Sequence, residues 1–282
     1  MPSHHLNDTE LSSQSIFLHS NDAVISISSA EKVFYLQESI TAPAGYRLLI
    51  GLTNLTLPNT MYNITDNNNS ITIKGITTLI PNGNYSADTL ATKIQDTVTE
   101  VSSCTFDPEN NVFSFVFTGS YIFNSSTMER QLGLKGQLPV SDENGDPENI
   151  TTYTAKDVCD LGGITNIYVR LRNLTLNNLD SRGKSSNIVA SIVNNTNYGG
   201  YIFYVPPEVL YYMLKENNIS HLDIELSDQE GNIVDLNGAD FNMTFTIHYV
   251  KQREGSVRDS MLQQIKSQYE SKLENKEEKN VD

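Results

Sequence analysis

The five histidines, at positions 4, 5, 19, 221 and 248, are the residues best suited to proton transfer or metal binding in this chain. No two stand as a His-x-His pair, so no strand face carries the paired imidazoles that a metal site of that kind needs. His248 falls at a polar position of an alternating run and reads as a surface histidine. The segment Asp142-x-Asn144-x-Asp146 has the oxygen donors of a calcium loop at alternate positions. Its glycine, Gly145, comes too early, and Tyr153 stands where a bidentate Glu should be, so it reads as a plain acidic loop. There is no Gly-x-Ser-x-Gly elbow, phosphate loop or His-Glu-x-x-His sequence. The expectation is a protein that is not an enzyme, with no catalytic residue, no cofactor and no metal. Asp180, Arg182 and Lys184, in the polar run NNLDSRGKSS, are read as an exposed turn and a candidate attachment loop.

Cys104 and Cys159 have neither a pairing pattern nor metal spacing and are expected to be buried free thiols. The first residues, MPSHHLNDTELSSQ, lack the apolar core of a secretory signal, and no run approaches the ~18 apolar residues of a membrane span. A reducing compartment and no membrane insertion are expected. Asn-x-Ser/Thr sequences, for example at Asn54, Asn63, Asn84, Asn173 and Asn242, are therefore read as chance in an Asn-rich chain.

The net charge is −15, and from Lys251 onward seven bases cancel seven acids. Residues 1–250 therefore hold twelve bases against twenty-seven acids. Phosphate binding needs clustered Lys and Arg, so such a body repels nucleic acid and anionic membrane surfaces.

The elements that must position any site are mostly strands. Phe241, Met243, Phe245, Ile247 and Tyr249 alternate with Asn242, Thr244, Thr246 and His248. That period of two marks a strand with one buried and one wet face. Leu222, Ile224 and Leu226 repeat it, and Asp228–Asn232 is turn chemistry. Tyr46, Leu48, Ile50 and Leu52 share a face before the phase slips to Leu55 and Leu57, which predicts a bulge. A second slip falls at Asn173, after Ile167, Val169 and Leu171. Ile25 and Ile27, Val33 to Leu36, Ile71 to Leu79, Phe113 to Phe117, and Ile188 to Ile192 give further strands. Tyr201 to Val205 reads as a short buried strand. A helix is expected after Ser86, with Leu90, Ile94 and Val98 in a stripe, and another after Pro206-Pro207, with Val209, Tyr212 and Met213 on one face.

Many short strands with brief helices predict an all-β chain: an antiparallel β-sandwich, a single jelly roll, with short helical insertions and a C-terminal helix. Residues 1–20 read as a polar arm with the apolar patch Ile16-Phe17-Leu18. Residues 21–250 form the jelly-roll domain, with roughly 59–160 partly an insertion. In the tail, 251–282, Val257, Met261, Ile265, Tyr269 and Leu273 recur every four residues as one face of an amphipathic helix. Ile16, Phe17, Leu18, Met261, Ile265 and Tyr269 are the candidate assembly residues.

Four segments resemble the single jelly-roll penton, or minor capsid, proteins of virophages and related Polinton-like and giant DNA viruses. They are Asn54–Tyr62 (NLTLPNTMY), Pro81–Ile94 (PNGNYSADTLATKI), Ile167–Val193 (with LDSRGKSSNIVASI) and Asp223–Val250, in the family's order. Phe241 stands where that family often has tryptophan, and the tail after Val250 is longer than its pattern requires. The resemblance implies a virion protein, made in the host cytoplasm, that forms homopentamers at the fivefold vertices of an icosahedral capsid. Its neighbours there would be double jelly-roll major capsid proteins. The alternative from the residues is a glycan- or receptor-binding jelly-roll module, since tyrosine-rich loops suit sugars and proteins.

Overall fold

The structure, a computed structural model, describes residues 10–142, 144–174 and 186–251. In chain order its strands are β1 Glu10–His19, β2 Ile25–Ser26, β3 Glu31–Thr41, β4 Tyr46–Pro58, β5 Ser70–Ile73, β6 Ile76–Leu79, β7 Val101–Asp107, β8 Val112–Ser126, β9 Asn149–Thr154, β10 Asn166–Leu171, β11 Ile188–Val193, β12 Tyr201–Tyr204, β13 Tyr212–Met213, β14 Asn218–Ser227 and β15 Asn242–Lys251. Two helices, α1 Ala87–Thr97 and α2 Glu129–Leu132, interrupt them.

Two sheets form the sandwich. One runs β1-β15-β4-β12, with β13 also on β4; the other runs β11-β10-β14-β3-β2. Strands from both ends of the chain lie side by side, β1 with β15 and β3 with β14, all antiparallel. This is the wrapping of a jelly roll, a long antiparallel ribbon folded over on itself. Leu48, Ile50 and Leu52 of β4 and Phe245 and Ile247 of β15 meet Ile167, Val169 and Leu171 of β10 and Leu222, Ile224 and Leu226 of β14 in one buried cluster. Each such side chain contributes about 1.5–3 kcal/mol by leaving water. The alternation of the last strand is as read: Met243, Phe245 and Ile247 are buried, with partly exposed Thr244, Thr246 and His248 between them.

The phase slip in β4 is a bulge. Thr244 pairs with Asn54 and Phe245 with Leu52, so Thr53 is the extra residue. Its hydroxyl donates to the Thr244 carbonyl at 3.0 Å. Leu52 and Leu55 can then both face the core. The slip at Asn173 is instead a strand end. The Asn173 side chain donates to the His221 carbonyl at 2.8 Å and accepts from the Asp223 N–H at 2.9 Å, closing the β10 edge against β14.

Between β4 and β10 the chain builds a third sheet, β6-β5-β8-β7, with β9 also on β8. It has its own buried cluster, centred on Ile71, Ile73, Phe113, Phe115 and Phe123, with Leu90 and Ile94 of α1 packed in. Phe115 and Phe123 meet edge to face at 5.5 Å. The helix starts as expected: the Ser86 side chain accepts from the Thr89 N–H, Asp88 lies in the first turn, and Leu90, Ala91 and Ile94 are buried.

Four expectations are corrected. Residues 10–19, read as part of a polar arm, are edge strand β1, paired with β15 from Ser13 to His19. Ser13, Ser15 and Phe17 form its exposed face, and the serines hide the alternation of Ile16 and Leu18. No helix follows Pro206-Pro207. Val209 and Tyr211 lie over Gly51, where a Cβ would stand 2.7 Å from Val209 Cγ1, and Tyr212–Met213 then pairs with β4. The close approach depends on Gly51 having no side chain. Tyr201–Val205 is not buried throughout: Ile202 points inward while Tyr201, Phe203 and Val205 are exposed. Cys104 is a buried free thiol, but Cys159 is only half-buried. The 177–186 loop, up to Ser185, and the tail from Gln252 lie outside the described residues, and so does the expected C-terminal helix. Among the described residues no helix is long and apolar enough to cross a membrane.

Candidate functional site

Among the described residues, those singled out for chemistry have structural roles; His4 and His5 lie outside them. His19 Nδ1 accepts from the Asn21 N–H at 3.2 Å. His221 stacks on Tyr35 at 5.4 Å, and His248 meets Tyr211 edge-on at 4.4 Å. Among the described residues no three His, Cys, Asp or Glu side chains converge as a metal site. Asp142 uses Oδ1 to accept from the N–H groups of Asn144 and Asp146, at 2.9 and 3.0 Å. These bonds, Asp146 first, hold its carboxyl below the usual carboxylate range. The acidic loop is thus an Asx turn closed on itself. Burial pushes the Cys104 thiol up to about 12, which leaves it protonated and inert at neutral pH.

Two of the Asn-x-Ser/Thr asparagines are also structural. Asn173 is bonded as above. Asn63 is buried and ties the sandwich to the third sheet. Its Nδ2 donates to the carbonyls of Tyr85, at 2.8 Å, and Leu161, at 3.1 Å, and its Oδ1 accepts from the Tyr85 N–H at 2.9 Å. Beside it the Thr60 hydroxyl donates to the Leu236 carbonyl at 2.6 Å, and Asn59 Nδ2 donates to the Thr196 carbonyl at 2.7 Å. Asn237 Nδ2 donates to the Thr60 carbonyl. Three of the four segments that carry the family resemblance therefore meet at one junction: the PNTMY turn, the GNY segment and the Leu236-Asn237-Gly238 turn. The described part of the fourth, β10 and β11, packs in the same sandwich core.

A cleft of about 570 Å³ opens at this junction, with Tyr62, Asp66, Arg130, Asp160, Asp228 and Glu230 on its walls. Arg130 Nε binds Asp160 at 2.7 Å, and its guanidinium lies 3.9 Å from Glu230 across the cleft. Among the described residues, no histidine, cysteine or serine lines it. Its carboxylates, amides and tyrosine ring can hydrogen-bond and stack, but they offer no activated nucleophile.

The candidate assembly residues separate in the structure. Ile16 and Leu18 are buried in the sandwich, so the apolar patch read from the sequence is split by the strand. Phe17 alone points out, 79% exposed. Met261, Ile265 and Tyr269, and the loop residues Asp180, Arg182 and Lys184, lie outside the described residues. Sequence reasoning missed the far edge of the same sheet. There Tyr201 and Phe203 stack at 6.2 Å in water, and Phe203 is 74% exposed. Four consecutive apolar or aromatic residues, Tyr201 to Tyr204, look buried on both faces. The signal that marks them as an edge is the adjoining Pro206-Pro207, which cannot donate to a ladder.

No protein-family model matches this chain, and no curated protein matches it. Among solved structures, the chain is similar to the selenomethionine-labelled mavirus penton protein. The two are 11% identical over 84% of this chain and 100% of that one, with a TM-score of 0.48.

Proposed function

We propose that this chain is a capsid vertex protein whose copies close into a homopentamer at the fivefold vertices of an icosahedral shell. The observation that carries the reading is the junction: three segments that resemble the penton family, dispersed over the sequence, come together around Thr60 and Asn63. The jelly-roll strand order is the fold that the resemblance implies. The charge agrees, because an acidic body stands off packaged nucleic acid and suits a shell component. The neighbours around the ring are double jelly-roll major capsid proteins. The tail residues Met261, Ile265 and Tyr269 are proposed to dock within this assembly, and Asp180, Arg182 and Lys184 to face outward for attachment.

The test is the mass of the full-length protein by light scattering. Five times the 31.5 kDa chain is expected. A monomer at high concentration, and again in assembled particles, overturns the reading.

A second reading, a glycan- or receptor-binding module, is favoured by the cleft and its Tyr62, carboxylate and amide walls. Binding on a broad glycan array that is lost in Tyr62→Ala supports it. A blank array counts against it. The two readings are compatible, since a vertex protein can carry an attachment surface.

A further inference from the structure

The sandwich leaves apolar side chains in water on two opposite flanks. On one, β1 is the edge of the first sheet and β2 the edge of the second, joined by the short turn Ser20–Asp22. Phe17, Val24, Ile25 and Ile27 are exposed there. On the other, β12 and β11 are the opposite edges of the same two sheets. Val193, Tyr201, Phe203, Val205 and Leu210 are exposed there. Single exposed apolar residues are ordinary, but runs of them along both edges of a sandwich mark contact surfaces.

The aromatic residues of the two flanks stand on adjacent rows of one face, two residues or roughly 7 Å apart along the strands. Phe17 lies opposite Thr244, which lies opposite Asn54. One row along, His19, Asn242, Thr56 and Phe203 form a continuous line across the sheet. Side chains that pair directly, or two residues apart along a strand, point to one face. Phe17 and Phe203 therefore project from the same outer face, separated by three strand spacings, roughly 14 Å. A copy set beside this one brings its own Phe17 edge to this copy's Phe203 edge with an offset of one such row, roughly 7 Å along the strands.

We infer that the β1/β2 flank of one copy packs on the β11/β12 flank of the next, with Phe17 seated against Tyr201, Phe203 and Val205. This rests on the ring reading above and names its contact. The pairing is heterologous: two different surfaces meet, each copy keeps one of each free, and repetition closes a ring. A flank meeting its own kind would leave the other set in water. Covering Phe17, Tyr201 and Phe203 at each contact removes on the order of several hundred Å² of apolar surface from water. Apolar contacts also suit subunits that each carry −15 and repel one another.

The test uses full-length Phe17→Glu and Phe203→Glu, alone and mixed, with mass read by light scattering. Both side chains are exposed on the single chain, so both variants should still fold, with a cooperative melt and the far-UV circular dichroism of the wild type. Each variant alone is expected to fall from five chains to one. Mixed one to one, the intact β11/β12 flank of Phe17→Glu meets the intact β1/β2 flank of Phe203→Glu. The product is a two-chain complex that cannot grow. Two monomers that ignore each other overturn the head-to-tail pairing. A pentamer that persists in both variants leaves the ring reading standing, assigns the flanks to another partner and overturns this inference. A monomeric wild type removes the ring itself.

Discussion

Asn63 holds the backbone of Tyr85 at both ends, donating to its carbonyl at 2.8 Å and accepting from its N–H at 2.9 Å. One buried side chain thus fixes where the third sheet leaves the sandwich. Removing it strands a buried donor and acceptor, and such groups cost about 1–3 kcal/mol each when left unmade. Asn63→Ala is expected to destabilise the protein by about 2–3 kcal/mol. It should also speed proteolysis within residues 64–161 more than within the sandwich. Equal cleavage of both parts would mean that Asn63 does not anchor the junction.

Phe245 tests the sandwich register. It is fully buried between the sheets and opposite Leu52 at the β4 bulge. Phe245→Asp places an unpaired charge there and should cost about 3–5 kcal/mol in chemical denaturation. The neighbouring Thr246→Asp, on the wetter face, should change stability by less than about 1 kcal/mol. Equal effects would mean that the strand is out of phase with the core.

The difference between those two residues was legible in the sequence because a period of two depends only on neighbours along the chain. The same holds for α1, where the Ser86 cap and the Leu90–Ile94 spacing are local. The separate core of the third sheet was not legible. Phe113, Phe115 and Phe117 alternate as the sandwich strands do, and only the pairing of β8 with β5, some fifty residues earlier, assigns them to another sheet. The site was harder still. Whether Phe17 or Phe203 faces protein or water depends on which strand lies beside it, and both strands are edges. Pro206-Pro207 looked like a helix start because nothing local reports Gly51, the surface on which the following residues rest.

The same dependence on neighbours reverses the expectation for the N-terminus. An arm outside the strand pattern could be removed without harm, but β1 covers β15, and Ile16 and Leu18 fill the core. Deleting residues 1–20 is expected to abolish soluble folded protein. Ile16→Asp alone should cost about 3–5 kcal/mol by burying a charge. A cooperative melt at the wild-type temperature after the deletion would show that β1 is dispensable.

Asp240 latches the end of that strand. Its carboxylate accepts from the Ser20 hydroxyl and from Asn21 Nδ2, both at 2.7 Å, while Ser20 Oγ accepts from the Phe241 N–H at 3.1 Å. The Ser20 bond first, and then the Asn21 bond, hold the Asp240 carboxyl below the usual carboxylate range. The folded state therefore binds this proton more weakly than the unfolded state does. The latch is fully present above the unfolded value of about 3.9 and is lost as pH falls through the lower folded value. Wild type should melt above Asp240→Ala at pH 6, and the gap should narrow steadily as the pH falls below about 4. A gap that is constant with pH would mean that the charge on Asp240 has no part in holding β1 to the start of β15.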